Sequence, residues 1–365
     1  MAGFAGPPMP SDPPTELGRL RILSKTAGIR VSPLALGGGN IGQAWNSSWG
    51  FMDKERAFEL LDAYLEAGGN FIDTANTYQD GESEVWIGEW MAQRRIRDRL
   101  VIATKYTSDF GMYDFANRDA KRGQKANHGG NSRRSLHMSV RESLRRLQTD
   151  WIDILYVHWW DYTASIEEVV DSLHALVQQG KVLYLGVCNT PAWIVSAANT
   201  YAKAHGKTPF SVYSGKWSLL ARGLEREIVP MARAFGMAIV PWGVLGQGKF
   251  QTDEAVEERE KVGEPLRPYG GGREVENERG AGRGCGGAWD DLSRGLVGGR
   301  KTEHLKDNIA ALDIWLTEEQ VAFERTKEFD IGYPNDFIGE DPHVTGIPGH
   351  MSATSAYLVF RSDAG

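Results

Sequence analysis

The runs "NFIDTANTYQD", "LVIATKY" and "DILYVH" each carry apolar residues up to a polar one: Asp73, Lys105 and His158. Tyr78 follows Asp73 by five positions. An acid, a tyrosine, a lysine and a histidine in such places form a set for proton transfer. A hydride arriving at a carbonyl carbon leaves an alkoxide that must take up a proton, and a phenol can donate it. The unperturbed phenol pKa is near ~10, and an ammonium beside it stabilises the phenolate and lowers that value. A half-buried lysine needs a carboxylate to stay charged, and Asp73 can supply it. A histidine can hydrogen-bond the carbonyl oxygen and orient or polarise it. Taken singly, each residue has a plain alternative: Asp73 as a turn or cap, Tyr78 as packing, Lys105 as a solvated cation, His158 as core. The four together, at matched ends, favour catalysis.

The elements that must position them alternate strictly. Helical spacing marks residues 57–68, 82–95, 132–148, 165–180, 191–206 and 224–236. The segment 132–148 carries a basic outer face. Ser165 with Glu168 has a capping-box pattern, and Pro191 opens the next helix. Between the helices lie six short apolar strands: "NFIDTA", "LVIATKY", "WIDILYVHWW", "VLYLGVCN", "FSVYSGKW" and "MAIVPWG". Nearly continuous apolar strands alternating with helices specify a parallel sheet covered by helices. The glycine cluster "GGGNIG" is followed by "QAWNSSWGF" rather than by an amphipathic helix, which argues against an open dinucleotide-binding sheet. A closed barrel is favoured over an open sheet, with chemistry at the C-terminal strand ends, where Asp73, Lys105 and His158 all fall.

The composition, 41% hydrophobic and 24% charged, allows a sizeable core and argues against wholesale disorder. The chain has 365 residues and a formal net charge of -7, with no long basic run, which argues against nucleic acid or an anionic membrane as partner. Two cysteines, Cys188 and Cys285, without metal-type spacing point to a reducing compartment, the cytoplasm. Residues 1–19 read as a flexible proline- and glycine-rich arm, and no apolar run is long enough to span a membrane. His137, His174 and His205 fall on helices, and His128 and His350 in glycine-rich loops. None forms a metal-type pair, so no metal is expected.

The segments "FIDTANTYQDGESEVWIGEW", "LVIATKY", "DILYVHWWDYTASIEE", "GKVLYLGVCNTPAWIVSAAN", "PWGVLGQGKF" and "VGGRKTEHLKDNIAAL" together resemble the aldo-keto reductases. Within that family they are most similar to the fungal aryl-alcohol dehydrogenase and norsolorinic acid reductase-like branch. The likeness covers about residues 20–250 and 292–330. It implies an NADPH-dependent α/β domain over 20–330 with the family's (β/α)8 TIM barrel, followed by a tail over 331–365. The family's catalytic tetrad maps onto Asp73, Tyr78, Lys105 and His158. The resemblance also places NADP(H): Gly38 and Gly39 near the nicotinamide, Cys188 and Asn189 at its carboxamide, and Trp242 stacked on the ring. Gly243, Leu245, Gly248 and Lys249 would hold the pyrophosphate. Arg300 would meet the 2′-phosphate, and His304, Asp307 and Asn308 would bracket the adenosine. Ser214 stands where the family usually has a glutamine. The implied substrate is a small aromatic aldehyde or ketone, reversible with its alcohol, in a role akin to fungal polyketide or mycotoxin steps. Trp45, Trp49 and Trp159 suit a flat apolar molecule, and Phe337, Ile338 or Met351 of the tail are candidates to touch it. The alternatives are a weak or inactive relative, or an NADPH-binding regulatory subunit of the kind this barrel also supplies. The intact tetrad favours the enzyme.

One stretch departs from the pattern. Glycines stand at 270–272, 280, 282, 284, 286 and 287, a density that disfavours any helix. The last βα unit, about 252–297, is therefore expected to be degenerate, some twenty residues short, with only "LSRGLVG" left for the eighth strand. Foreign sequence introduced at a misplaced splice junction is favoured over a genuine loop replacement. An open seam, a weakened Arg300 site, marginal stability and poor NADPH binding are the expected consequences.

Overall fold

Eight parallel strands curl into a single sheet that runs in chain order apart from its last member. This computed structural model describes residues 11–110, 127–218, 221–246, 294–315 and 317. An antiparallel hairpin comes first, β1 (Arg21–Ser24) and β2 (Ala27–Val31). The parallel strands are β3 (Leu34–Gly37), β4 (Phe71–Asp73), β5 (Val101–Tyr106) and β6 (Ile152–Val157), then β7 (Val182–Cys188), β8 (Phe210–Ser214), β9 (Ala238–Ile239) and β10 (Gly295–Val297). Their order is β10-β3-β4-β5-β6-β7-β8-β9. Side chains alternate across the curl, as they must in a barrel wall. Phe71, Val101, Ala103, Ile154, Tyr156, Val212 and Ala238 join one buried cluster, to which the hairpin adds Leu23, Ala27 and Val31. Their neighbours Ile72, Ile102, Leu155 and Val157 join a second cluster with the helices.

Six helices fall where the apolar periodicity puts them, and two more, a single turn over 46–49 and a helix over 302–310, form where it marked none. They are α1 (Asn46–Trp49), α2 (Lys54–Glu66), α3 (Glu82–Arg94), α4 (Arg133–Leu147), α5 (Ile166–Gln178), α6 (Ala192–Ala204), α7 (Leu224–Phe235) and α8 (Thr302–Ala310). The helix over 57–68 starts earlier than its apolar pattern because Asp53 caps it, accepting from the Arg56 amide at 2.9 Å. The capping box at Ser165 is only half formed. Ser165 accepts from the Glu168 amide at 3.1 Å, but the Glu168 carboxylate accepts instead from the Arg133 amide at 2.9 Å, tying α5 to the start of α4. No helix among the described residues is long and apolar enough to cross a membrane. Among them, no group of three His, Cys, Asp or Glu side chains could hold a metal ion.

The eighth strand does form, within "LSRGLVG" as expected, and it is only three residues long. The expected open seam is corrected by two backbone bonds. The Arg294 amide donates to the Ile239 carbonyl at 2.8 Å, and the Leu296 amide to the Pro241 carbonyl at 2.9 Å. That i, i+2 spacing is one half of a parallel ladder: Pro241 has no N–H to return a bond, so β9 and β10 meet through these two bonds without pairing as strands. Arg294 adds a bond from its side chain to the Ile22 carbonyl at 2.8 Å, joining β10 to the hairpin. Residues 247–293, with the glycine run and Cys285, lie outside the described residues. So do the first ten residues of the arm and the whole 331–365 tail, with His350 and the three candidate substrate contacts of the tail. Residue-resolved hydrogen exchange checks the seam: the Arg294 and Leu296 amides should exchange at least about a hundredfold more slowly than that of exposed Gly298. Equal rates would mean that the ends of the sheet do not meet.

Candidate active site

Register brings the tetrad together. Asp73 ends β4 opposite Ala103 of β5, and Lys105 lies two residues further along β5, on the same face. Lys105 is 2% exposed and Asp73 fully buried. The Lys105 ammonium is ion-paired with Asp73 Oδ1 and donates to the Thr74 carbonyl at 2.7 Å. The same nitrogen lies 5.0 Å from the centre of the Tyr78 ring and 5.6 Å from that of Tyr156. His158 follows β6, its amide bonded to the Tyr106 carbonyl at 2.9 Å. Its ring meets the Tyr78 ring edge-on, with centroids 5.9 Å apart at 78°. All four residues chosen from the sequence therefore share one site.

Electrostatics sort them into roles. Burial alone would push the Lys105 pKa down, but the Asp73 carboxylate, then Tyr78 and Cys188, more than offset this and raise it. Lys105 thus stays a cation. Burial raises the Asp73 pKa, and Lys105 opposes that rise. Tyr78 differs from the expectation. Lys105 does pull its pKa down, but burial is the larger effect and the net shift is upward. The phenol therefore holds its proton at neutral pH, as a proton donor must. Burial first, and the Lys105 charge second, push the His158 pKa down to about 3. His158 is a neutral imidazole, suited to donating a hydrogen bond rather than carrying charge.

Residues that the sequence did not single out hold the mouth in shape. Gln79 and Asp80 both take left-handed backbone angles, φ 52° and 56°, directly after Tyr78. Such angles strain residues other than glycine unless neighbours hold them. Gln79 is buried, donates to the Gly39 carbonyl at 2.8 Å and accepts from the Trp45 amide at 2.8 Å. Asp80 accepts from the Trp45 indole at 2.9 Å. Trp45 thereby stands 6.5 Å from Tyr78 and 5.0 Å from Trp49, ring to ring. Trp159 is 40% exposed and donates to Ser108 at 3.0 Å. The available signal for Gln79 and Asp80 was the tight "YQDGE" turn directly after Tyr78.

Of the residues expected to bind cofactor, Gly38, Gly39, Cys188, Asn189 and Ser214 stand at or just after the C-terminal ends of β3, β7 and β8. Gly38 and Gly39 follow β3, and a methyl on Gly38 would fall 2.8 Å from Ser83 Oγ. Cys188 and Ser214 are register partners at the ends of β7 and β8. Burial pushes the Cys188 thiol up to about 12, so it is unreactive. Asn189, at φ 44°, donates to the His158 carbonyl at 3.1 Å. Trp242 is bridged to Lys216, Gly243 adopts φ 74° and Leu245 is 37% exposed. Gly248 and Lys249 lie outside the described residues. Arg300 donates to the Trp49 carbonyl at 2.9 Å and lies directly over Gly50, where a methyl would fall 1.1 Å from its Nη1. His304, Asp307 and Asn308 share one helix, α8, at spacings that put them on one side of it. Ser214 Oγ is buried and makes no hydrogen bond to another nitrogen or oxygen among the described residues, which fits a site completed by an amide-bearing group.

The neutral state of His158 has a pH signature. An unfolded histidine titrates near ~6.5, so between that pH and about 3 the unfolded chain binds more protons than the native one. His158 therefore stabilises the fold fully above pH ~6.5 and loses that contribution as pH falls. Between pH 7 and pH 4 the parent chain should lose on the order of 2 kcal/mol more unfolding free energy than His158→Gln. Equal losses in denaturant titrations would mean that the ring is solvated.

Comparison with known proteins agrees with this geometry. A sequence profile of the Aldo/keto reductase family matches residues 33–269. The match stops where the glycine run begins. AAD14 of Saccharomyces cerevisiae, whose name assigns it provisionally to the aryl-alcohol dehydrogenases, is 58% identical over 97% of this chain and 98% of its own length. That alignment spans 374 positions against a chain of 365, so the relative carries residues that this chain lacks. The aldo-keto reductase ausK of Emericella nidulans is 52% identical over 96% of this chain and 92% of its own. A norsolorinic acid reductase of Aspergillus flavus is 46% identical over 92% and 88%. With the barrel and the clustered strand-end residues, these matches show that the chain belongs to the aldo/keto reductase family of oxidoreductases.

Proposed function

We propose that this chain is an NADPH-dependent reductase of aromatic aldehydes and ketones, running reversibly with the corresponding alcohols. The observation that carries the reading is the buried Lys105–Asp73 pair beneath Tyr78, with a neutral His158 at the edge of the phenol. When bound, the nicotinamide supplies the hydride. Ser214, Cys188 and Asn189 are the residues in this reading that would hold its carboxamide, Gly38, Gly39 and Trp242 its ring, and Gly243, Leu245, Gly248 and Lys249 its pyrophosphate. Arg300 with His304, Asp307 and Asn308 would take the phosphorylated adenosine end. His158 donates a hydrogen bond to the substrate carbonyl oxygen and aims it at Tyr78. Tyr78, protonated at neutral pH, gives its proton to that oxygen as negative charge develops. The phenolate left behind is stabilised by the Lys105 ammonium, which Asp73 keeps charged. In the direction of alcohol oxidation the same phenolate takes the proton back.

Trp45, Trp49 and Trp159 support an aromatic substrate, since flat apolar walls with few polar groups select flat apolar ligands. The likeness to norsolorinic acid reductase supports an aromatic polyketide as the natural carbonyl, and the scarcity of cysteine supports a cytoplasmic setting. The test is NADPH oxidation against a panel of aryl aldehydes. Tyr78→Phe should lose at least about a hundredfold in kcat, within the range for a general acid, while KM changes little. Undiminished turnover in that variant would remove Tyr78 from the mechanism.

A further inference from the structure

Arg146 belongs to the basic stretch of α4, yet its side chain is only 9% exposed. Its guanidinium donates to the Asn76 carbonyl at 2.7 Å and the Phe110 carbonyl at 3.3 Å. It pairs with Glu84 at 3.3 Å and with Glu142 at 3.0 Å. Asn76 lies two residues before Tyr78, and Phe110 five residues after Lys105. Glu84 is fully buried on α3, and its other oxygen accepts from Thr104 at 2.7 Å, the residue next to Lys105. The guanidinium also packs against Gly81, where a methyl would fall 2.4 Å from Nη1 and where φ is 94°. One planar cation thus fastens the turn that carries Tyr78 to the segment that follows Lys105.

We propose that Arg146, clamped by Glu84, is a positioning residue that fixes the Asn76–Tyr78 turn over Lys105 and so sets the separation of phenol and ammonium. The proposal rests on Tyr78 being the proton donor. A guanidinium suits this place because its rigid fork bonds carbonyls and carboxylates in several fixed directions at once, which an ammonium on a flexible stem does not. Small displacements matter here, because misplacing reacting groups by about 1 Å can cost a hundredfold.

The test compares Arg146→Lys with Arg97→Lys in the full chain. Arg97 is a matched control: it pairs with buried Asp153 at 2.7 Å and donates to the carbonyls of Leu100 and Trp151 at 3.1 and 3.0 Å, away from the tetrad. Arg146→Lys should lower kcat about tenfold and leave both KM values within about twofold. It should also move the half-maximal pH of alcohol oxidation upward, because a phenolate further from the ammonium is harder to form. Arg97→Lys should keep kcat within about twofold, whatever it does to the melting temperature. The proposal is overturned by an unchanged kcat in Arg146→Lys, by a fall in kcat without the upward pH shift, or by an equal fall in Arg97→Lys. If Arg146→Lys shows no cooperative melt, Glu84→Gln carries the same expectations and the same reversals. Tyr78→Phe separates the two layers. Full turnover there sinks the donor role itself, whereas loss there with unchanged Arg146→Lys sinks only the positioning role.

Discussion

A lysine ammonium that is 2% exposed beside a fully buried carboxylate is the constraint on which the rest of this structure turns. Taking two charges out of water is costly, and their attraction offsets that cost only when the geometry is close and the remaining donors are satisfied. Here the parallel register of β4 and β5 supplies the closeness, and the Thr74 carbonyl takes a further ammonium proton. The pair then sets the character of its neighbours. It keeps a cation within reach of Tyr78, and its positive member helps hold His158 neutral. Neither neighbour would be suited to its role beside an exposed, mobile lysine.

The mouth is stiffened from two sides. On one, the left-handed Gln79–Asp80 turn gathers Gly39 and Trp45. Trp45 meets Trp49, whose carbonyl takes the Arg300 side chain. On the other, Arg146 and Glu84 lace α3 and α4 to the segments flanking Tyr78 and Lys105. Strain at Gln79 and Asp80 is held in place by these bonds, as expected where backbone geometry serves a site.

Much of this was legible in the chain. Asp73, Lys105 and His158 sit where apolar runs end, and strand ends on one side of a barrel converge, so their meeting followed from periodicity and topology. The strand-and-helix alternation placed the elements to within a few residues. Arg146 and Glu84 were not legible, because a charged residue in a helical pattern reads as a solvated face and only the packing of α3 on α4 turns these two inward. The upward shift at Tyr78 was missed for a related reason: a lysine can be read from sequence, but the depth of burial that outweighs it cannot. The glycine run lowered the expectation for the seam, since it offers almost no apolar surface. Closure there uses backbone amides at Arg294 and Leu296, and side-chain composition says little about those.

The central claim is that Asp73 and Lys105 act as one unit. A double-mutant cycle on kcat, with Asp73→Asn, Lys105→Met and the double variant, tests it most directly. A coupled pair predicts that the double variant loses little more than either single one, because each substitution already leaves the phenol without a stabilising cation. Losses that simply multiply would show two independent residues and contradict the account.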